Sequence, residues 1–101
     1  MSHIIHTQSG SITAVAGTIS ANLIVRNSLL NKIFVKATTA NTTFDIKLTD
    51  IYSNDVLART NNTGELNEVD VREPAYGNFT FTIENASADE AFTYLFAFED
   101  K

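Results

Sequence analysis

Residues 77–85 read Gly-Asn-Phe-Thr-Phe-Thr-Ile-Glu-Asn, and the alternation in this stretch decides the fold class. Phe79, Phe81 and Ile83 fall on one side of an extended chain, and Thr80, Thr82 and Glu84 on the other, because successive side chains of a strand point to opposite faces. Residues 42–50, Thr-Thr-Phe-Asp-Ile-Lys-Leu-Thr-Asp, repeat the pattern, with Phe44, Ile46 and Leu48 opposed to Asp45, Lys47 and Thr49. Both predict antiparallel strands with one covered face and one wet face. Residues 91–99 are different: Phe92, Tyr94, Phe96 and Phe98 line one face, and Leu95 and Ala97 keep the other apolar. A strand apolar on both sides is either central in its sheet or lies at a subunit contact. Leu95 and Ala97 are therefore candidate oligomer-contact residues.

A further strand is predicted over 30–38, with Ile33 and Val35 on one face and Lys32, Phe34 and Lys36 on the other. Weaker strands fall near 3–7, 11–16, 18–25, 55–60 and 66–72. The turns expected between strands are 53–55, 61–64, 74–77 and 85–89, rich in Asn, Asp, Gly and Ser or holding the single Pro. No stretch has a helical period. Strands at roughly ten-residue spacing predict an all-β chain folded as a single antiparallel β-sandwich, with a jelly roll as the leading topology.

The chain has 101 residues, 44% hydrophobic and 19% charged, which fits one globular domain. It has no cysteine, so disulfides, thiol catalysis and Cys-ligated zinc are excluded. No run of 18 apolar residues is present and no signal peptide is visible, so neither a membrane span nor a membrane partner is expected. The net charge of -5 repels phosphate and argues against nucleic acid as a partner.

That charge is unevenly spread. Residues 1–25 carry no Lys, Arg, Asp or Glu, and Arg26, Lys32 and Lys36 follow with no acid before residue 37. All twelve acids lie further on. An uncharged segment rich in Ile, Leu and Val desolvates cheaply, and predicts an extended N-terminal arm over 1–28 ahead of a sandwich body over 29–101. The arm and its basic flank supply candidate partner-interface residues: Ile19, Leu23, Val25, Arg26, Lys32, Phe34 and Lys36.

Catalytic patterns are missing. His3 and His6 point to opposite faces of a strand, which is wrong for chelating one metal. Asp45, Asp50 and Asp55 lack the spacing and glycine of a calcium loop. No Gly-x-Ser-x-Gly and no phosphate-binding glycine loop occurs. No catalytic residue, metal or cofactor is expected. Tyr52 and Tyr76 sit in expected loops, as turn anchors or as platforms for a sugar, and a glycan site would need them side by side on an exposed concavity.

Three stretches together resemble a known group: Leu-Leu-Asn-Lys-Ile-Phe-Val-Lys-Ala from residue 29, Thr-Thr-Phe-Asp-Ile-Lys-Leu-Thr-Asp-Ile-Tyr-Ser-Asn-Asp-Val-Leu-Ala-Arg-Thr from residue 42, and Pro-Ala-Tyr-Gly-Asn-Phe-Thr-Phe-Thr-Ile-Glu-Asn-Ala from residue 74. They are similar to small head decoration, or cement, proteins of tailed bacteriophages over residues 30–98. The resemblance implies a β-sandwich that binds and stabilises a shell of major capsid protein without catalysis. It implies a virion protein on the capsid exterior, made in the host cytoplasm, and self-association as dimer or trimer is expected alongside. The alternative is a host-glycan-binding module of a phage tail or head fibre.

Overall fold

The computed structural model describes the backbone of residues 5–69 and 71–100, and the side chains among them except those of residues 5, 25–27, 75, 76 and 100. His3, and the side chains of Val25, Arg26 and Tyr76, lie outside the described residues. Seven strands make up the fold: β1 (Ile5–Ala14), β2 (Ile19–Ala37), β3 (Thr43–Thr49), β4 (Asp55–Thr63), β5 (Glu65–Glu68), β6 (Glu73–Glu84) and β7 (Glu90–Asp100). All pairings are antiparallel, in the order β1-β7-β2-β6-β3-β4, with β5 also on β2.

The 19-residue β2 makes two layers from this ladder. Its first half, from Ile19, pairs with β6, and its second half, to Ala37, pairs with β7 on one side and β5 on the other. The register shifts between Val25 and Ser28 and again between Leu30 and Lys32, and such bulges bend and twist a strand. One layer is therefore β1-β7-β2(second half)-β5, and the other is β2(first half)-β6-β3-β4. With β2 counted as two strands, four strands per layer and repeated crossing between layers give the double Greek key of a jelly roll.

The alternating residues close the core between the layers. Phe44, Ile46, Leu48, Phe79, Phe81 and Ile83 are buried, facing Phe92, Phe96, Phe98, Ile33 and Val35. Phe81 meets Phe96 edge-on at 4.9 Å between ring centres, and Phe44 meets Phe92 at 5.0 Å, separations at which edge-to-face aromatic pairs are favourable. The open sides of the sandwich are joined by side chains. Gln8 Nε2 donates to the Ile24 carbonyl at 2.7 Å on one side. On the other, Arg59 forks onto Glu68 at 2.6 and 3.1 Å.

Three expectations are corrected. Residues 5–28 are not an arm: β1 pairs with β7 along its whole length, and β2 runs through the 28/29 boundary. Ala14 and Leu23 belong to the core. The missing charge, which suggested a segment cheap to desolvate onto a partner, serves desolvation within the chain's own sandwich. Next, residues 74–77 do not break the chain. Pro74 and Gly77 lie inside β6, opposite the first β2 bulge, and Gly77 (φ 85°) takes the left-handed conformation there that glycine adopts without a Cβ clash. Finally, 3–7 with 11–16, and 18–25 with 30–38, are two long strands and not four short ones. The link between β1 and β2 is a two-residue turn with Ala16 (φ 55°) and Gly17 (φ 86°) both left-handed, as a type I′ hairpin requires. A Cβ on Gly17 would stand 2.6 Å from the Ala86 carbonyl oxygen, so the position also needs glycine for space.

Candidate interaction surfaces

The outer face of the β1-β7-β2-β5 layer is assembled from the even residues of β2 and the odd residues of β7. The pairing aligns Ser9, Leu95, Phe34 and Asn67 in one row across four strands. Thr7, Ala97 and Lys32 form the row on one side, and Ser11, Thr93, Lys36 and Glu65 the row on the other. Phe34, Leu95, Ala97 and Lys32 are half-buried, and Lys36 is exposed. Residues 32, 34 and 36 and residues 95 and 97, read from sequence as two separate sites, thus share one surface. β7 takes the central position of the two expected for it, between β1 and β2. The surface has an apolar centre, two lysines beside it, and a margin of Ser and Thr from β1.

The other candidates do not join it. Leu23 points into the core with 2% of its surface exposed, so it has no area to offer a partner. Ile19 lies on the same inward face and packs against the core. Both faced the wrong way in the arm reading, because an isolated strand has no inside. His6 is half-buried and stacks on Phe98 with ring centres 5.7 Å apart.

The outer face of the opposite layer is mostly polar, with Ile24 exposed on it. Ser20 and Thr82 hydroxyls lie 3.1 Å apart, and Lys47 pairs with Glu84 at 3.2 Å. Asp45 accepts the Asn61 backbone N–H at 2.8 Å and the Asn85 side-chain amide at 2.7 Å. These bonds, the one from Asn61 foremost, hold its carboxyl below the ordinary aspartate value against a small opposing effect of burial.

A second feature is a cleft of about 380 Å³ at one end of the sandwich, between the 50–54 loop and β6. Val56, Pro74 and Phe79 form apolar wall, with Asp50, Asn78 and Gly77 beside them. Asp50 Oδ1 accepts the backbone N–H groups of Tyr52 and Asn54, both at 2.9 Å, and the bond from Asn54 is the largest of the effects that lower the Asp50 pKa. It is Asp50, then, that anchors this turn. Tyr52 lines the cleft with 78% of its surface exposed, held outward by a closed loop. The cleft escaped sequence reasoning because its walls come from two separate segments, residues 50–56 and 74–79, that only the fold brings together. Asp45, Asp50 and Asp55 take separate places, on a strand, in a turn and at the start of β4.

No protein-family model matches the chain, and no curated protein matches it. Among solved structures it is similar to a carbohydrate-binding module, CBM36, in complex with calcium and xylotriose, at 16% identity over 97% of this chain and 99% of that one, with a TM-score of 0.47. It is also similar to the VP2 subviral particle of infectious bursal disease virus, at 16% identity with a TM-score of 0.39. There 97% of this chain covers 33% of the capsid chain, so it spans a third of that protein's length. Both likenesses concern strand architecture alone and assign neither ligand nor partner.

Proposed function

We propose that this chain is a non-catalytic capsid decoration protein that docks on a shell of major capsid protein through the outer face of its β1-β7-β2-β5 layer. The observation that carries the reading is the apposition of Phe34 and Leu95 across β2 and β7, half-buried on a sheet face and flanked by Lys32 and Lys36. An apolar centre gains free energy when a flat partner covers it. Lys32 stands next to that centre, and Lys36 lies at its margin opposite Glu65, so the face offers charges of both signs that can set the register against complementary groups of a partner. A ligand that binds the assembled lattice in preference to free subunits stabilises the lattice by mass action, by about 2.7 kcal/mol at a hundredfold excess over Kd. No chemistry is required. The protein would sit on the capsid exterior after synthesis in the host cytoplasm.

The test is co-sedimentation with undecorated capsids of the phage that encodes it. Wild type is expected in the pellet. Phe34→Asp, and Lys32→Glu with Lys36→Glu, are expected in the supernatant with unchanged far-UV circular dichroism. Folded variants that sediment like wild type would remove this face from the interface.

The exposed Tyr52 ring at the cleft supports a second reading, a glycan-binding module. A tyrosine face beside an apolar wall, with Asn78 and Asp50 near, offers stacking for a pyranose ring and polar groups for its hydroxyls. A glycan array on the isolated protein, repeated with Tyr52→Ala, tests it. A saccharide bound by wild type and lost in the variant would favour this reading over shell docking.

A further inference from the structure

An edge strand exposes backbone N–H and C=O groups that can pair with another chain, and folded proteins blunt such edges with charges, proline, bulges or short length. The two layers have four such edges, and three are blunted. β4 carries Asp55 and Arg59. β5 is four residues long and begins and ends on Glu. The free side of the first half of β2 is crossed by the Gln8 side chain, which takes the Ile24 carbonyl. β1 has none of these devices. It is ten residues long, its ladder with β7 runs from Ile5↔Glu99 to Ala14↔Glu90 without a register shift, and it contains neither a charged residue nor a proline. Among the described residues its only ladder partner is β7.

We infer that β1 is a strand-addition edge, and that its occupant is β1 of a second copy of this chain. The composition of the strand selects that occupant. Antiparallel self-pairing about a two-fold axis through Gly10 sets Thr7 against Thr13 and Ser9 against Ser11 of the second copy. The outward side chains of that pairing are hydroxyls, exposed in the single chain, and cross-strand Ser and Thr pairs are favourable. No like charges meet, because residues 1–25 carry none. Gly10 at the axis adds no side chain to the join. The product is an eight-stranded layer in which the surfaces around Phe34 and Leu95 of both copies lie on one side, since β1 and β7 share a continuous pleat. The inference is independent of shell docking: self-association is read in solution without capsids, so either can fail while the other stands.

Sedimentation equilibrium on the full chain tests it. Wild type is expected as a dimer. Ser9→Lys with Ser11→Lys places lysine opposite lysine twice across the axis, and is expected to weaken the dimer about tenfold or more with unchanged circular dichroism, since both positions are exposed. Mixing that variant with Ser9→Glu/Ser11→Glu sets lysine against glutamate and is expected to restore the dimer. As a second measurement that needs no variant, the backbone amides of residues 7–13 are expected to exchange more slowly as wild-type concentration rises. A monomeric wild type, a lysine variant that dimerises like wild type, a mixture no tighter than its components, or concentration-independent exchange over residues 7–13 would each overturn the inference.

Discussion

Tyr94 stands across the β1–β7 ladder from Gly10, and its ring fills the space that a side chain at residue 10 would take. A Cβ built on Gly10 would come within 3.0 Å of the Tyr94 hydroxyl oxygen and 3.2 Å of the carbon that bears it. The same ring leans on Phe81 and Phe96, with centres 5.3 and 5.7 Å away. A glycine that weakens a strand by its freedom is here covered by an aromatic neighbour, the device that rescues glycine in sheets.

Gly10→Ala in an exposed strand would ordinarily gain about 0.5–1 kcal/mol. Here it is expected to lose about 1–2 kcal/mol, because Tyr94 must give way and disturb the Phe81–Phe96 packing. In a Tyr94→Ala background the same change is expected to stabilise. Urea melts of the four proteins check the coupling, and additive effects would show that the ring yields freely.

Leu23 and Ile24 are neighbours on opposite faces of β2, one 2% and the other 72% exposed. Leu23→Asp is expected to abolish the folded state, since an unpaired buried carboxylate costs several kcal/mol. Ile24→Asp is expected to shift stability by no more than about 0.5 kcal/mol. Equal effects in thermal melts would mean that this half of β2 has slipped or left the sheet.

Deletion of residues 2–25 removes β1 and the part of β2 that pairs with Ile83 through Gly77. The product is expected to lack a cooperative unfolding transition. A sharp melt and dispersed NMR spectrum from the truncated chain would return the segment to the status of an arm. Limited proteolysis of the intact protein gives a parallel measurement: Gly17 is buried against Ala86, and cutting there is expected to be slow.

Phe81 and Phe96 are fully buried and in edge-on contact. Phe81→Ala is expected to cost about 3–5 kcal/mol, a large share of the roughly 5–15 kcal/mol typical of a domain. The midpoint of urea denaturation reads the loss directly.

Asp45 ties β3 to β4 and to the loop after β6, and its carboxyl is held below the ordinary aspartate value by the bonds from Asn61 and Asn85. A lowered folded-state pKa means stability present in full above the unfolded value, near 3.9, and lost as pH falls through the folded value. The melting temperature of wild type is therefore expected to drop on acidification below about pH 4, and that of Asp45→Asn to drop less. Parallel curves would show that these bonds do not favour the ionised form.

Much of the fold was legible in the amino-acid sequence because period two is a local property. Phe44, Ile46, Leu48, Phe79, Phe81 and Ile83, chosen by alternation alone, are all core residues; the turn at 85–89 falls between strands, and that at 53–55 leads into β4 at Asp55. Alternation says which residues share a face, but not what that face meets. Ile19 and Leu23, four residues apart, share one side of a strand by period two, yet only pairing with β6 makes that side the inside. Lys32, Phe34 and Lys36 are some sixty residues from Leu95 and Ala97, and nothing local joins them. They become one surface because β2 lies beside β7 in a particular register, and a slip of one residue between the two strands would leave Lys32, Phe34 and Lys36 on the face opposite Leu95 and Ala97. The cleft beside Tyr52 has the same origin, and so does the open edge of β1. Its lack of charge was visible in the sequence, but whether uncharged residues form an arm, a covered strand or an edge depends on the neighbours that long-range pairing supplies.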